Sequence, residues 1–272
     1  MSSYRFALRP KWILSHLFVL ALVATMVVAG FWQLSRLQEK KDRNARVVAR
    51  TAEPVAEAST LADPGEFDKA GALEFRRVSA TGHYLVDQEV LVRSRSRDES
   101  PGSWVLTPLA LGDGTAVVVN RGWIPNPGDI HSVPSWSKAP TGEVEVEGLV
   151  RETETRGRFG STDPATGTLT DLARADVARL DQQVPERVLP FYLQLQTQDP
   201  AVARTDPKPV PTPELDEGPH FSYAVQWFIF TTIAVIGYPL ILRRRAREDP
   251  DAIAPEPDDR DESDDSDDVL VT

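Results

Sequence analysis

His220 to Leu242 is a run of 23 residues without Asp, Glu, Lys or Arg, and it ends abruptly in Arg243, Arg244, Arg245 and Arg247. At 1.5 Å rise per residue a helix of that length crosses the roughly 30 Å hydrocarbon core of a bilayer. Near the other end, Trp12 to Ser35 is equally free of fixed charge and follows a short basic stretch with Arg5, Arg9 and Lys11. A cleaved signal peptide is the competing reading there, since Val27-Val28-Ala29 places small residues before Gly30. The length of the apolar run and the second span favour an uncleaved anchor. Whatever lies between two such spans must fold as a separate domain.

The chain thus divides into an N-terminus (1–11), a transmembrane helix (12–35), a juxtamembrane segment with a linker (36–70) and a strand-rich domain (71–199). A Pro-rich linker (200–219), a second transmembrane helix (220–242) and a tail (243–272) complete it. Topology is read from the cations. Arg36, Lys40, Lys41, Arg43, Arg46 and Arg50 follow the first span and by themselves argue for one orientation. They flank a loop well over a hundred residues long, where positive charge counts for little, whereas the Arg243–Arg247 cluster adjoins a free tail. Both termini are therefore placed in the cytoplasm of a cell whose plasma membrane the chain crosses twice, with the domain outside.

Composition excludes more than it suggests. The net charge of −11 resides in the tail, where twelve acids face one Arg from Glu248 onward, so the remainder is neutral. No basic face points to nucleic acid. With no Cys and two Met, the chain has no disulfides, thiolate zinc sites, iron–sulfur clusters or C-x-x-C-H haem attachment, and a copper carrier is disfavoured. Four histidines remain as candidate ligands: His16, His83, His131 and His220. The acidic tail reads as a disordered, solvated charge run, with an acidic docking segment as its functional alternative.

The expected fold is α+β: two membrane helices in a hairpin around a mainly antiparallel, strand-rich domain with one short helix. Arg77–Tyr84 and Glu89–Arg93 read as a strand pair about Val86-Asp87-Gln88. Ser103–Leu109 and Thr115–Asn120 read as a hairpin, since Gly112-Asp113-Gly114 supplies the left-handed backbone of a tight turn. Glu143–Val150 alternates acid with Val, a strand with one wet face. Arg151–Thr168 reads as a loop, Asp171–Gln182 as a short amphipathic helix and Phe191–Gln196 as a last strand. Six prolines between Pro200 and Pro219 exclude a regular element and suggest a stiff linker.

Three strings stand out: Gly30-Phe31-Trp32-Gln33-Leu34-Ser35-Arg36-Leu37, Val119-Asn120-Arg121-Gly122-Trp123-Ile124-Pro125, and His220-Phe221-Ser222-Tyr223-Ala224-Val225-Gln226-Trp227. On a helix, His220, Tyr223, Ala224 and Trp227 share one face. The bland reading is an aromatic belt with Arg36 as a snorkelling anchor. Asn120–Trp123 reads as a structural bulge with Trp123 covering a core edge, or else as a partner-facing edge or a second cation for a cofactor. No nucleophile elbow, phosphate loop, H-E-x-x-H or dinucleotide fingerprint occurs, so no enzyme activity is expected.

Taken with the two-span plan, these strings resemble the Surfeit-locus family of cytochrome c oxidase assembly proteins over roughly residues 10–245. The resemblance implies a non-enzymatic assembly factor for a haem–copper oxidase of the respiratory chain, with haem a as a transient cofactor. Its implied partners are the oxidase core subunit, other assembly factors and the lipid bilayer. His220 stands at the position the family offers as haem ligand, here the candidate metal residue. Tyr223, Trp227 and Trp32 would wall the cofactor and Arg36 would meet a propionate. Two alternatives stay open: a cofactor-free membrane chaperone or scaffold for oxidase intermediates, and a membrane-anchored sensor docking through its acidic tail.

Overall fold

The computed structural model describes residues 4–67, 69–126, 131–158, 160–202 and 207–248; the acidic run from Asp249 to Thr272 lies outside the described residues. The chain forms two compact units, one of residues 1–40 with 217–272 and one of residues 41–216. Helix α1 (Pro10–Thr51) passes the end of the apolar stretch, because residues 36–53 hold good helix formers and no Gly or Pro. The juxtamembrane segment is therefore helical as far as Thr51. Its last turns are tied into the second unit. Arg50 Nη1 donates to the carbonyls of Gly71 (3.3 Å) and Glu74 (2.8 Å), and Asn44 Nδ2 donates to Leu215 O at 2.7 Å.

The second unit holds strands β1 (Ala56–Glu57), β2 (Arg77–Tyr84), β3 (Val90–Arg97), β4 (Ser100–Ala110), β5 (Thr115–Pro125), β6 (Glu143–Glu152) and β7 (Asp171–Leu172). Helix α2 (Val177–Asp181) and strand β8 (Arg187–Asp199) follow. One sheet runs β1-β2-β6-β8-β5-β4-β3-β7, and β2 also pairs with β4. Five strands therefore close on themselves, β2-β6-β8-β5-β4, while β3 and β7 extend as a flap. The Gly112–Gly114 hairpin stands as the sequence indicates, both glycines at left-handed φ.

Two expectations are corrected and a third is refined. β2 and β3 do not pair with each other. Leu85 N donates to Pro108 O at 2.8 Å and Val86–Gln88 forms a 3-10 turn, which carries the end of β2 across to β4. The sheet is mainly antiparallel, as expected, but it is also mixed: β5 and β8 run parallel through its centre. The reason is burial on both faces. Val117, Val119, Leu189, Phe191 and Leu193 point into one core cluster, while Ala116, Val118, Val188 and Tyr192 point into another beneath α2. Strands buried on two faces read as continuous apolar runs, as A-V-V-V does. Finally, the helix expected over 171–182 shrinks to five residues, since Asp171 and Leu172 pair with β3 and Asp176 caps the helix by accepting from Arg179 N at 3.0 Å.

Closure of the barrel depends on one residue without a side chain. A Cβ at Gly82 would lie 1.9 Å from Ala110 O, immediately before the closing pairs His83↔Ala110 and Tyr84↔Leu109. Gly82→Ala is expected to force β2 from β4 and to cost about 2–4 kcal/mol by denaturant unfolding, in the range of buried overpacking. Gly157→Ala, where a Cβ meets nothing within 4 Å, is the neutral control.

Burial pushes the Tyr192 hydroxyl up to about 12, the nearby Arg151 opposing it, and burial also raises Tyr84, whose hydroxyl donates to Gln198 Oε1 at 2.9 Å. Above pH 10 the unfolded chain releases these protons while the folded one retains them, so stability falls from pH 10 through 12. Unfolding midpoints measured across this range are expected to drop less steeply in Tyr192→Phe.

Candidate functional site: the paired helices

Among the described residues, α1 and helix α3 (His220–Arg247) are the two helices long and apolar enough to cross a membrane, and only 11% and 0%, respectively, of their most apolar windows are buried. That separates them from the core helices of a globular domain. In α1, His16, Val19, Val23, Met26, Gly30, Gln33 and Leu37 are shielded and spaced alternately three and four residues apart. His220, Ala224, Trp227, Thr231, Ala234 and Tyr238 repeat that spacing in α3. This is the seam of two helices packed knobs into holes.

Contacts along the seam fix which levels meet. His220 Nδ1 lies 2.8 Å from Gln33 Oε1. Phe31 and Phe228 meet edge to face at 5.5 Å, and Gly30 admits Phe228, which a Cβ there would touch at 2.8 Å. At the far end His16 Nδ1 lies 2.6 Å from Tyr238 Oη, which also bonds Ser15 Oγ at 3.0 Å, while His16 Nε2 donates to Ala7 O. The partners advance along one helix as they retreat along the other, so the pair is antiparallel within this unit.

The candidate site residues distribute unevenly over this frame. His220 and Trp227 lie on the seam. Tyr223, expected on the same face, is 47% exposed on the outer surface. Trp32 and Arg36 associate with each other, the guanidinium 5.7 Å over the indole, and Arg36 also pairs with Glu39 at 2.7 Å. Trp32 is 52% exposed. The structure joins Trp32 to Arg36 and His220 to Gln33; Trp227 instead meets Phe230 edge to face. Gln33 was missed as a functional partner, although it sits inside the first string: a polar residue at a seam position of an apolar helix is the signal that marks it. Tyr238 was missed for the same reason. Among the described residues no group of three or more His, Cys, Asp or Glu gathers to hold a metal. His83 is exposed in β2, and His131 is exposed beside Asp171 at 3.1 Å.

The middle string is structural. Arg121 is the extra residue of a bulge, since Val105 pairs with Gly122 and Leu106 with Asn120. Asn120 Oδ1 accepts from Gly122 N at 3.1 Å across it. Gly122, at φ 136°, takes a conformation open to glycine, and a Cβ would sit 2.4 Å from Lys208 O. Trp123 donates to Arg95 O at 2.7 Å and packs against Gly102. Arg121 is buried against Glu89 at 2.8 Å, their side chains 3% and 2% exposed, so the reading as a partner-facing edge or cofactor cation is withdrawn.

A two-helix seam with a histidine paired across it, joined in sequence to a closed β-barrel, defines a protein with two candidate membrane helices and a folded intervening domain. The SURF1 family model matches residues 20–232, which takes in both helices and the barrel, and the chain belongs to that family. The family is one of membrane-associated assembly factors connected with cytochrome oxidase. Uncharacterized SURF1-like proteins of Mycobacterium bovis and Mycobacterium tuberculosis are 29% identical over 263 residues, covering 95% of this chain and 94% of theirs. A SURF1-like protein of Monosiga brevicollis is 32% identical over 157 residues, 51% of this chain and 56% of its own.

Removing one partner of a buried ion pair strands the other, at a cost of about 3–5 kcal/mol. Arg121→Met is expected to show that loss by chemical denaturation. The double variant Glu89→Leu/Arg121→Met, which removes both charges, is expected to recover much of it.

Proposed function

We propose that this chain is a non-enzymatic assembly factor for cytochrome c oxidase that binds haem a transiently through His220 and passes it to the oxidase core subunit. Family membership supports the oxidase connection. One observation carries the ligand reading: Gln33 Oε1 faces His220 Nδ1 at 2.8 Å. A carbonyl oxygen at that distance accepts a hydrogen bond from Nδ1–H, which fixes the tautomer and leaves the Nε2 lone pair for a metal. The residues present fit an exchangeable cofactor. One imidazole would hold the group, which suits a carrier. Trp227 is half-buried on the same seam, and Tyr223 extends from the same end of α3.

Haem iron, when bound, supplies the coordination position that accepts an imidazole nitrogen. Gln33 orients the ring. Trp32 and Arg36 offer an aromatic face and a cation near the same level of α1 for a carboxylate, and Arg36 exchanges its surface pairing with Glu39, a contact of low energy, to do so. In this reading both termini are cytoplasmic in a bacterial plasma membrane, with the barrel outside and Arg243–Arg247 at the inner face. The basic residues after the first span do not weigh against it, since Arg43 and Arg50 donate to carbonyls of their own domain.

The test is the haem spectrum of detergent-purified protein co-expressed with haem a synthesis. His220→Ala is expected to lose the Soret band. Gln33→Leu is expected to keep the ligand but weaken retention roughly tenfold to a hundredfold, as outer partners of metal ligands do. Equal haem content in wild type and His220→Ala would sink the ligand reading and leave a cofactor-free chaperone, which normal oxidase assembly in that variant would support.

A further inference from the structure

The barrel unit contains a cavity of about 310 Å³ lined by Arg93, Ser94, Gly157, Gly160, Ser161, Ala173 and Arg174. That volume is at the lower end of the roughly 300–1,000 Å³ of small-molecule sites. Among the described residues, its wall has two guanidiniums, two hydroxyl residues and two glycines, and no acid. The carboxylates that balance the arginines are elsewhere. Asp163, its side chain 6% exposed, accepts from Arg93 Nη2 at 3.1 Å and from Ala173 N at 2.9 Å, and sits 3.9 Å from Arg174 Nη1. Asp171 lies 3.4 Å from Arg93 Nε and is shared with His131. Neither aspartate lines the cavity. They hold the guanidiniums from outside the lining, and each guanidinium has more N–H groups than these contacts use.

The donor count supports this. Each guanidinium carries five N–H groups. Arg93 engages Asp163, and Arg174 Nη2 donates to Ser161 O. Arg93 Nε is buried and makes no hydrogen bond, Asp171 lying beyond good range. Arg156, which donates to Gly160 O at 2.9 Å, adds a third cation at the loop. The backbone is shaped to the same end: β3 slips register between Val92 and Arg95, and Ser94 takes φ 58°, a left-handed conformation rare for serine. Such a bulge re-aims the side chains on either side of it.

The geometry points to a binding site for a phosphate-bearing ligand between Arg93 and Arg174, with Ser94 and Ser161 as hydroxyl partners. Paired guanidiniums match a tetrahedral oxyanion through parallel charge-assisted bonds. The inference is independent of the haem reading, since every residue in it belongs to the barrel unit. Two sources present this chemistry, a soluble phosphate ester and a phospholipid headgroup.

The experiment is a thermal unfolding titration of the full-length protein in detergent at constant ionic strength, with chloride as control. Inorganic phosphate and glycerol phosphate form one arm, and mixed micelles with phosphatidic acid the other. Wild type is expected to show a saturable rise in Tm. Arg93→Gln/Arg174→Gln is expected to weaken it at least about tenfold, the loss of a charge-assisted contact. Should that variant unfold, Gly157→Glu tests the same point, because a Cβ at Gly157 meets nothing within 4 Å and a Glu there adds an acid to the lining. A rise in one arm alone supports the site and identifies its source. The absence of a saturable rise in both arms, or a rise unchanged in Gly157→Glu, overturns it.

Discussion

The buried pair of Arg121 and Glu89 is the interaction on which the barrel unit most depends. Charge is costly to desolvate, and Glu89 Oε1 offsets the cost by accepting from Arg121 Nη1, Thr107 Oγ1 and Ala139 N at 2.8–3.0 Å. Three regions thereby converge on one oxygen borne just before β3: the middle of β4, β5 and the segment after β5. Glu89 Oε2 makes no hydrogen bond, which leaves Arg121 as the main counterweight to that carboxylate. For Arg121 to turn inward, β5 must bulge, and the bulge is what gives Gly122 its positive φ. Trp123 then faces Gly102, and its backbone exchanges hydrogen bonds with Lys208 at 2.7 and 2.8 Å. One inward arginine thus determines how the strand end meets the Pro-rich segment.

That segment shows why a linker inferred from composition can turn out to be docked structure. Proline removes the donor but keeps the carbonyl. Gln194 Nε2 donates to Val210 O and Pro211 O, Arg97 Nη1 to Pro209 O, and Asn44 Nδ2 to Leu215 O. Side chains of the barrel and of the α1 terminus supply the donors that a strand partner would have offered. The prolines are legible as the absence of a regular element. The donors that hold the segment are scattered from residue 44 to residue 194, and no local pattern announces them.

The strands themselves were largely legible, because period-two burial is a local signal. Glu143–Val150 alternates as expected, with Arg77 meeting Glu147 at 2.6 Å on the wet face. Pairing was not legible to the same degree. The β2–β3 hairpin was inferred from adjacency, yet it gives way to β2–β4 closure because Gly82 permits a backbone approach whose partner lies some thirty residues on. The parallel β5–β8 contact did leave a trace, the unbroken apolar run at 116–119, which an antiparallel strand with one wet face does not need. The cavity between Arg93 and Arg174 left none, since its lining comes from β3 and from a polar loop without periodicity.

The helix pair is the reverse case, in which the sequence named the residues but not their relation. A polar side chain in an apolar seam must find a partner or forgo its hydrogen bonds in hydrocarbon. Each helix contributes polar residues at both ends of its heptad stripe, and they pair as Gln33 with His220 and as His16 and Ser15 with Tyr238. Antiparallel packing satisfies both pairs at once; sliding one helix by a turn would break both while leaving Gly30 opposite the wrong ring. The polar pairs therefore set register, as a single buried polar residue does in a coiled coil. At the Gln33 end this has a second consequence. The two strings that mark the family in this sequence contribute one atom each to a single hydrogen bond, so a change in either string alters the orientation of the same imidazole.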